Sequence, residues 1–258
     1  IVEKLTYSND TLARVPSANM PTPGRGNAGA TGNTTHGYFG GGDPGSRSNM
    51  DKITYSNDAA EAIPAGDLST GRAHVRATGN HDAGYWAGGG GSTEFSIVDK
   101  LNYSSETTAR VPGANLSAPR ARHAASAARA NGSTIISPPT ATPTPSISSN
   151  PQLSPTPNFG YFGGGYPGRA TVDKTNFGSD TTAALPSNGN LSSGRGFLNG
   201  ATGSTTAGYF AGGYENISTM DKTTYSSDTT AAVPGANLTA GRHYLAATTS
   251  PSAGYFCG

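Results

Sequence analysis

The sequence predicts an all-β chain built as a five-bladed propeller with four antiparallel strands per blade, and three repeated markers carry that prediction. An acid–lysine pair recurs as Glu3-Lys4, Asp51-Lys52, Asp99-Lys100, Asp173-Lys174 and Asp221-Lys222, at spacings of 48, 48, 74 and 48 residues. A glycine–aromatic triplet recurs as Gly37-Tyr38-Phe39, Gly84-Tyr85-Trp86, Gly160-Tyr161-Phe162, Gly208-Tyr209-Phe210 and Gly254-Tyr255-Phe256. A single arginine recurs as Arg25, Arg72, Arg120, Arg195 and Arg242. Repeats of this length that read as strands and turns build propellers, solenoids or arrays. One such unit cannot bury its faces alone, so the whole chain, 1–258, reads as one domain.

The unit from Arg72 to Arg120 shows the expected elements in order. Arg72–Thr78 reads as a short inner strand opened by the arginine. Gly79–Gly84 is a turn, rich in residues that tolerate positive φ. Tyr85-Trp86-Ala87 is an aromatic second strand that ends at Gly88-Gly89, followed by a loop that differs in every repeat. Ser96–Tyr103 alternates as a half-buried third strand does. Ser104–Thr107 turns the chain, and Glu106 occupies a place that is Asp10, Asp58, Asp180 or Asp228 elsewhere, where a short acid is expected to satisfy backbone donors. Thr108–Pro112 is the outer strand, and Pro112, which cannot donate to a ladder, suits that edge.

The chain opens in a third strand and ends after a second strand. One blade is therefore expected to be assembled from both ends, with Ile1–Tyr7 pairing antiparallel to Gly254–Cys257 and closing the ring. Closure removes sheet edges that would otherwise invite pairing with other chains. The rival is a longer array from which five units are taken. Without an initiator methionine or a secretory signal pattern, the chain reads as a processed product or a fragment of something longer. The long interval comes from residues 131–157, a segment rich in Pro, Ser and Thr inserted between the first and second strands of blade three. Its composition favours extended polyproline conformation over sheet. It reads either as a tolerated surface loop or as a contact arm or glycan stalk.

Composition narrows the function classes. Net charge is +1 and 13% of residues are charged, so no basic footprint for nucleic acid exists. No apolar run is long enough to span a membrane as a helix. The single cysteine, Cys257, stands where other repeats have Gly40, Ala87, Gly163 and Ala211, which predicts a small, buried, inert residue. The five histidines show no metal-ligand spacing, and no nucleophile elbow or phosphate-cradling glycine pattern occurs, so no catalytic residue, metal or cofactor is named. The recurring arginines read as binders of main-chain carbonyls between blades, with a ring of charge around a central channel as the alternative. Eight Asn-x-Ser/Thr triplets occur, as composition alone would produce, and they matter only in a secretory host.

The arginine before the inner strand, the aromatic strand closing on Gly-Gly and the third-strand Tyr7, Tyr55, Tyr103, Phe177 and Tyr225 together resemble the kelch repeat across nearly the whole chain. Kelch units carry a Trp where this chain has Val15, Ile63, Val111, Leu185 and Val233, each before Pro, so the likeness is that of a divergent relative. It implies the propeller fold and no particular partner. The phrasing of residues 160–183 is similar to repeats of marine cyanophage structural and tail-fibre proteins, which implies a virion part.

What differs between repeats points to function. The second-to-third-strand loops share one face of a propeller and vary in charge and aromatic content. Asp43, Arg47, Tyr166, Arg169, Tyr214 and Asn216 are the candidate ligand-binding residues, because aromatic-plus-polar surfaces suit sugar or protein recognition. Unselected drift in loops accounts for the same variation. The expected role is non-enzymatic: a recognition or structural module of a virion, a tail fibre or surface adhesin that binds a cell-surface glycan or protein, or other virion subunits. The alternatives are a free or cell-surface lectin and, last, a propeller glycoside hydrolase. Virion surface or extracellular space is the expected location.

Overall fold

The computed structural model describes residues 2–6, 11–21, 25–127, 158–249 and 253–258. These residues form strands, turns and 3-10 turns of three residues. The first pair is β1 (Glu3–Thr6) with β2 (Thr11–Arg14). Four sheets of four strands follow in meander order: β3 (Gly29–Gly32), β4 (His36–Gly40), β5 (Met50–Thr54) and β6 (Ala59–Ala62); then β7 (Arg76–Gly79), β8 (Ala83–Ala87), β9 (Val98–Asn102) and β10 (Thr107–Arg110); then β11 (Ala124–Ala127), β12 (Phe159–Gly163), β13 (Val172–Asn176) and β14 (Thr181–Ala184); then β15 (Ala201–Gly203), β16 (Ala207–Ala211), β17 (Met220–Thr224) and β18 (Thr229–Ala232). The last pair is β19 (Ala246–Thr249) with β20 (Gly254–Cys257). The first strands β3, β7, β11, β15 and β19 contact one another in chain order, which makes them the inner strands. Residues 131–157 lie outside the described residues.

Each core cluster belongs to a seam between sheets rather than to one sheet. Tyr38, Met50, Ile63 and Leu68 of the first complete sheet pack on Val75, Trp86, Leu101 and Tyr103 of the second. Trp86 also donates from Nε1 to the Gly29 carbonyl across the seam at 3.0 Å. Its ring comes so close that a Cβ on Gly29 or Gly40 would lie 2.9 Å from it, so both positions exclude a side chain. A repeat that buries its faces only against neighbours thus has its small residues fixed by the neighbour.

Two repeated ion-pair systems organise the sheets. Arg72 and Asp99 are fully buried and meet at 2.8 Å within one sheet. Arg25–Asp51, Arg120–Asp173 and Arg195–Asp221 repeat the pair. Arg120 also donates to the Thr171 carbonyl at 2.9 Å, and Arg195 to that of Thr219 at 2.9 Å. The arginines therefore bind carbonyls as expected, but inside their own blade, and they neutralise the acid of the acid–lysine marker rather than line a channel. Burial pushes each of these guanidinium pKa values down, and the partner carboxylate opposes that. Removing one member of such a pair costs about 3–5 kcal/mol, because a buried charge is left alone.

The second system crosses each seam. Lys4 reaches Asp58 at 2.7 Å, Lys52 reaches Glu106 at 2.6 Å, Lys100 reaches Asp180 at 2.7 Å and Lys174 reaches Asp228 at 2.7 Å. Tyr38, Tyr85 and Tyr161 donate to the acids at the last three of these seams and stack on Tyr103, Phe177 and Tyr225 with centroids 4.9, 4.7 and 4.7 Å apart. The acids do not satisfy their own turns, as the sequence led us to expect. Instead Asn57, Asn102 and Asn176 accept the turn amides. Asp58, Glu106, Asp180 and Asp228 sit at φ of 53–54° and send their carboxylates to the preceding blade. Asp10 lies outside the described residues. Partly exposed pairs of this kind contribute about 0–1 kcal/mol each, so they set register more than stability.

Three expectations are corrected. The inner strand starts at Arg76 rather than Arg72, because residues 72–75 form a turn joined to the neighbouring loop by the isolated bridge Ala73–Gly90. Pro112 does not lie in the outer strand but opens the 3-10 turn beyond it. Cys257 is exposed, whereas its counterparts Gly40, Ala87, Gly163 and Ala211 are buried. The cause is that the expected pairing of Ile1–Tyr7 with Gly254–Cys257 is not formed among the described residues: β20 pairs with β19 and β1 with β2, so the third strand that covers this position elsewhere is missing from its sheet.

Candidate functional site

One backbone position is strained in every repeat. The second residue after each marker arginine is Asn27, His74, Arg122, Phe197 or Tyr244, at φ of 54, 53, 54, 59 and 55°. Positive φ costs a residue with a Cβ on the order of 1 kcal/mol. The turn is held because the next residue, Val75, His123, Leu198 or Leu245, is driven into the core. Direct bonds between successive turns add to this: Arg122 N–H donates to the His74 carbonyl at 3.3 Å, and Tyr244 N–H to that of Phe197 at 3.0 Å. These bonds join four of the strained residues in two pairs, His74 with Arg122 and Phe197 with Tyr244, at the loop end of the inner strands. The backbone repeats while the side chain does not.

The second-to-third-strand loops meet these turns. Phe197 packs edge-on to Tyr166 at 5.9 Å and to Tyr244 at 5.1 Å, and lies 5.3 Å from Tyr214. His243 lies 4.9 Å from Tyr244 and shares a hydrogen bond of 3.1 Å with Asn216. The Arg122 guanidinium lies over Phe197 at 4.9 Å and near Tyr166 at 5.6 Å. Arg122 Nη2 donates to His74 Nε2 at 3.2 Å. Asp43 Oδ2 lies 3.8 Å from that nitrogen and accepts from Asn27 at 3.1 Å. Tyr166, Tyr214 and Tyr244 are all exposed. Exposed rings grouped around a half-buried one make a patch beyond the scatter of single apolar residues on a normal surface.

Of the six residues selected from sequence, the arc holds Tyr166, Tyr214 and Asn216, with Asp43 at its polar end. Arg47 and Arg169 fall outside it. Arg47 keeps its Nε buried, and its backbone carbonyl accepts from Arg72 N–H at 3.0 Å. Arg169 Nε donates to the Pro119 carbonyl of the adjoining connection at 3.1 Å. Phe197, Tyr244, Arg122, His74 and His243 escape the sequence reading. The signal is nevertheless present: the position two after an invariant arginine varies among Asn, His, Arg, Phe and Tyr.

Among the described residues, no group of three His, Cys, Asp or Glu side chains could hold a metal ion, and no helix is long and apolar enough to cross a membrane. No protein-family model matches the chain, and no curated protein matches it.

Proposed function

We propose that the chain is a closed five-bladed, kelch-like propeller that acts as a non-enzymatic recognition or structural module of a virion, a tail fibre or surface adhesin, and that its loop face binds a cell-surface glycan or protein. The observation that carries recognition is the arc of Tyr166, Phe197, Tyr214 and Tyr244. Its members come from the two loop sets that vary, while the other end of the sheets repeats Asx and Ser/Thr turns such as Asn80 on Asp82 and Ala83. Flat exposed rings beside amide and imidazole groups suit a sugar, which offers an apolar face and a rim of hydroxyls. The virion assignment rests on the repeat style of residues 160–183.

Closure of the ring is supported by contacts that the two half-sheets leave unmet. Aligned on the complete blades, β20 and β1 are the second and third strands of one blade, with Tyr255 opposite Lys4 as Tyr38 is opposite Lys52. Arg242 would then meet Glu3, as Arg25 meets Asp51. Tyr255 is 60% exposed, where its equivalents Tyr38, Tyr85 and Tyr161 are 0% exposed. Lys222 has no carboxylate among the described residues, and its counterpart acid by repeat is Asp10. A groove of about 380 Å³ between Met220, Leu238, Arg242 and Phe256 lies where β1 would seat.

A glycan array with the wild type and the Tyr166→Ala/Tyr214→Ala double variant tests recognition. Binding to some glycans that the double variant loses, at unchanged melting temperature, is expected. Binding that survives both substitutions places the site elsewhere. Binding to host cells without any glycan signal would turn the reading to a protein receptor.

A further inference from the structure

Beside the aromatic arc lie two guanidiniums for which the described residues provide no carboxylate, Arg76 and Arg122, with the neutral imidazoles of His74 and His123 next to them. The five marker arginines show what this fold does with a buried guanidinium: four of them meet a buried aspartate within their own sheet. Arg76 and Arg122 meet no carboxylate among the described residues. The Arg76 side chain donates from Nη1 only to the neighbouring Val75 carbonyl among those residues, at 2.8 Å. The Nε atoms of Arg76 and Arg122 are buried without a partner, and so is His74 Nδ1. His74 accepts from Arg122 at Nε2, so its proton is on Nδ1 and that atom is a third unused donor. Burial, reinforced by Arg122, pushes the Arg76 pKa down to about 10, and burial with Arg122 holds His74 in its neutral form. Two half-buried guanidiniums that repel one another and lack counter-charge are costly to keep unless a ligand supplies the charge.

We propose that this cluster receives the carboxylate of an acidic sugar whose ring stacks on the arc around Phe197. Arg122 joins the two halves of the site: its guanidinium lies on the Phe197 face and against His74. A planar carboxylate matches the guanidinium fork, and a pair of charge-assisted bonds there is about twice as strong as a neutral pair. The acid is expected at Arg122 and Arg76, and the pyranose face at Phe197, Tyr214 and Tyr244. Asp43, the nearest carboxylate to His74, disfavours a second negative charge at that end. This assignment rests on the recognition reading above and names its ligand class.

Calorimetric titration of the full chain tests it with three probes: a glucuronate-terminated disaccharide, the matching glucose-terminated disaccharide and sodium sulfate. The acidic disaccharide is expected to bind at least about ten-fold more tightly than the neutral one, with a preference that shrinks in high salt. Arg122→Gln should remove the preference, so that the two disaccharides bind with equal affinity, while Arg122→Lys should retain part of it. Phe197→Leu should weaken both sugars. Melting curves for each variant confirm that it folds. Equal affinity for the two disaccharides, or a preference unchanged in Arg122→Gln, would overturn the acidic-sugar assignment and leave recognition of sugars standing. Failure of both disaccharides to bind would overturn the acidic-sugar assignment, and sulfate binding alone under those conditions would mark a bare anion site.

Discussion

The seams between complete blades and the seam at the two ends of the chain are built from the same repeated residues, yet only the former are full. Among the described residues the three interior seams bury eight, eight and seven side chains in their clusters, whereas the cluster between the last complete sheet and the β19–β20 pair holds three: Ala211, Met220 and Leu245. Interior tyrosines are stacked and covered, but Tyr255 and Tyr55 are exposed. Interior arginines hold a buried aspartate, whereas Arg242 meets no carboxylate among the described residues and Glu3 is exposed. The difference teaches that a blade here is a unit of sequence but not of stability. Two adjacent units share each core, each lysine rung and each tyrosine stack, so any unit lacking a neighbour displays half of every device.

The largest effect should come from the buried ion pairs. Arg120→Met leaves Asp173 buried and alone and should cost about 3–5 kcal/mol in a denaturant melt. Arg242→Met should cost as much if Glu3 lies opposite it in a closed ring, and almost nothing if the ends stay apart. A smaller effect belongs to the tyrosines. Tyr161→Phe removes a hydrogen bond to the Asp228 carboxylate and should cost about 1.5–3 kcal/mol. Tyr255→Phe should match it only in a closed ring, where the hydroxyl would reach Asp58.

His123 sharpens the contrast through pH. It fills the buried place that Leu198 and Leu245 fill in later repeats, with neither ring nitrogen partnered, and packs against Phe162 at 5.7 Å. Burial, with Arg120 and Arg76 nearby, holds its pKa well below 6.5. The unfolded chain therefore takes up the proton first. The stability tied to this group is complete above about pH 6.5 and falls by about 1.4 kcal/mol per unit below it, until the folded ring itself titrates. His123→Leu should flatten that acid limb and raise stability at pH 5. An unchanged slope would assign acid sensitivity elsewhere. The smallest effect is expected from deleting residues 131–157. The strands on either side, β11 and β12, are paired from Ala124–Gly163 to Ala127–Gly160. Closing their loop with a short turn should change the melting temperature little, because closure entropy varies slowly with length.

Strand order, and membership of the four complete sheets, were legible because the 48-residue spacing sets them, and alternation in segments such as Ser96–Tyr103 marked the faces. The roles of the charged markers were not. Asp99 and Glu106 look alike in the sequence, but the first is buried against Arg72 of its own blade and the second serves Lys52 of the blade before. Spacing gives the period of a repeat and does not say whether a contact is made within a unit or between units. Half of the arc was hidden for a related reason. Phe197 and Tyr244 follow the arginine in what reads as a strand, and the left-handed position that lifts them to the surface is not itself a glycine.

The central claim, that the two half-blades complete one another, is tested most directly by cross-linking across the expected pairing. Cys257 would lie opposite Val2 in the register that sets Gly40 opposite Met50. Directly opposed residues of antiparallel strands have Cα atoms about 4.5–5.5 Å apart, within the span of about 4.4–6.8 Å that a disulfide bridges. The Val2→Cys variant would be oxidised mildly, then followed by non-reducing electrophoresis and peptide mass mapping. It should give a monomer in which the introduced thiol is bonded to Cys257 in near-full yield. Disulfide-linked dimers and ladders, or two free thiols in a folded monomer, would contradict closure of the ring.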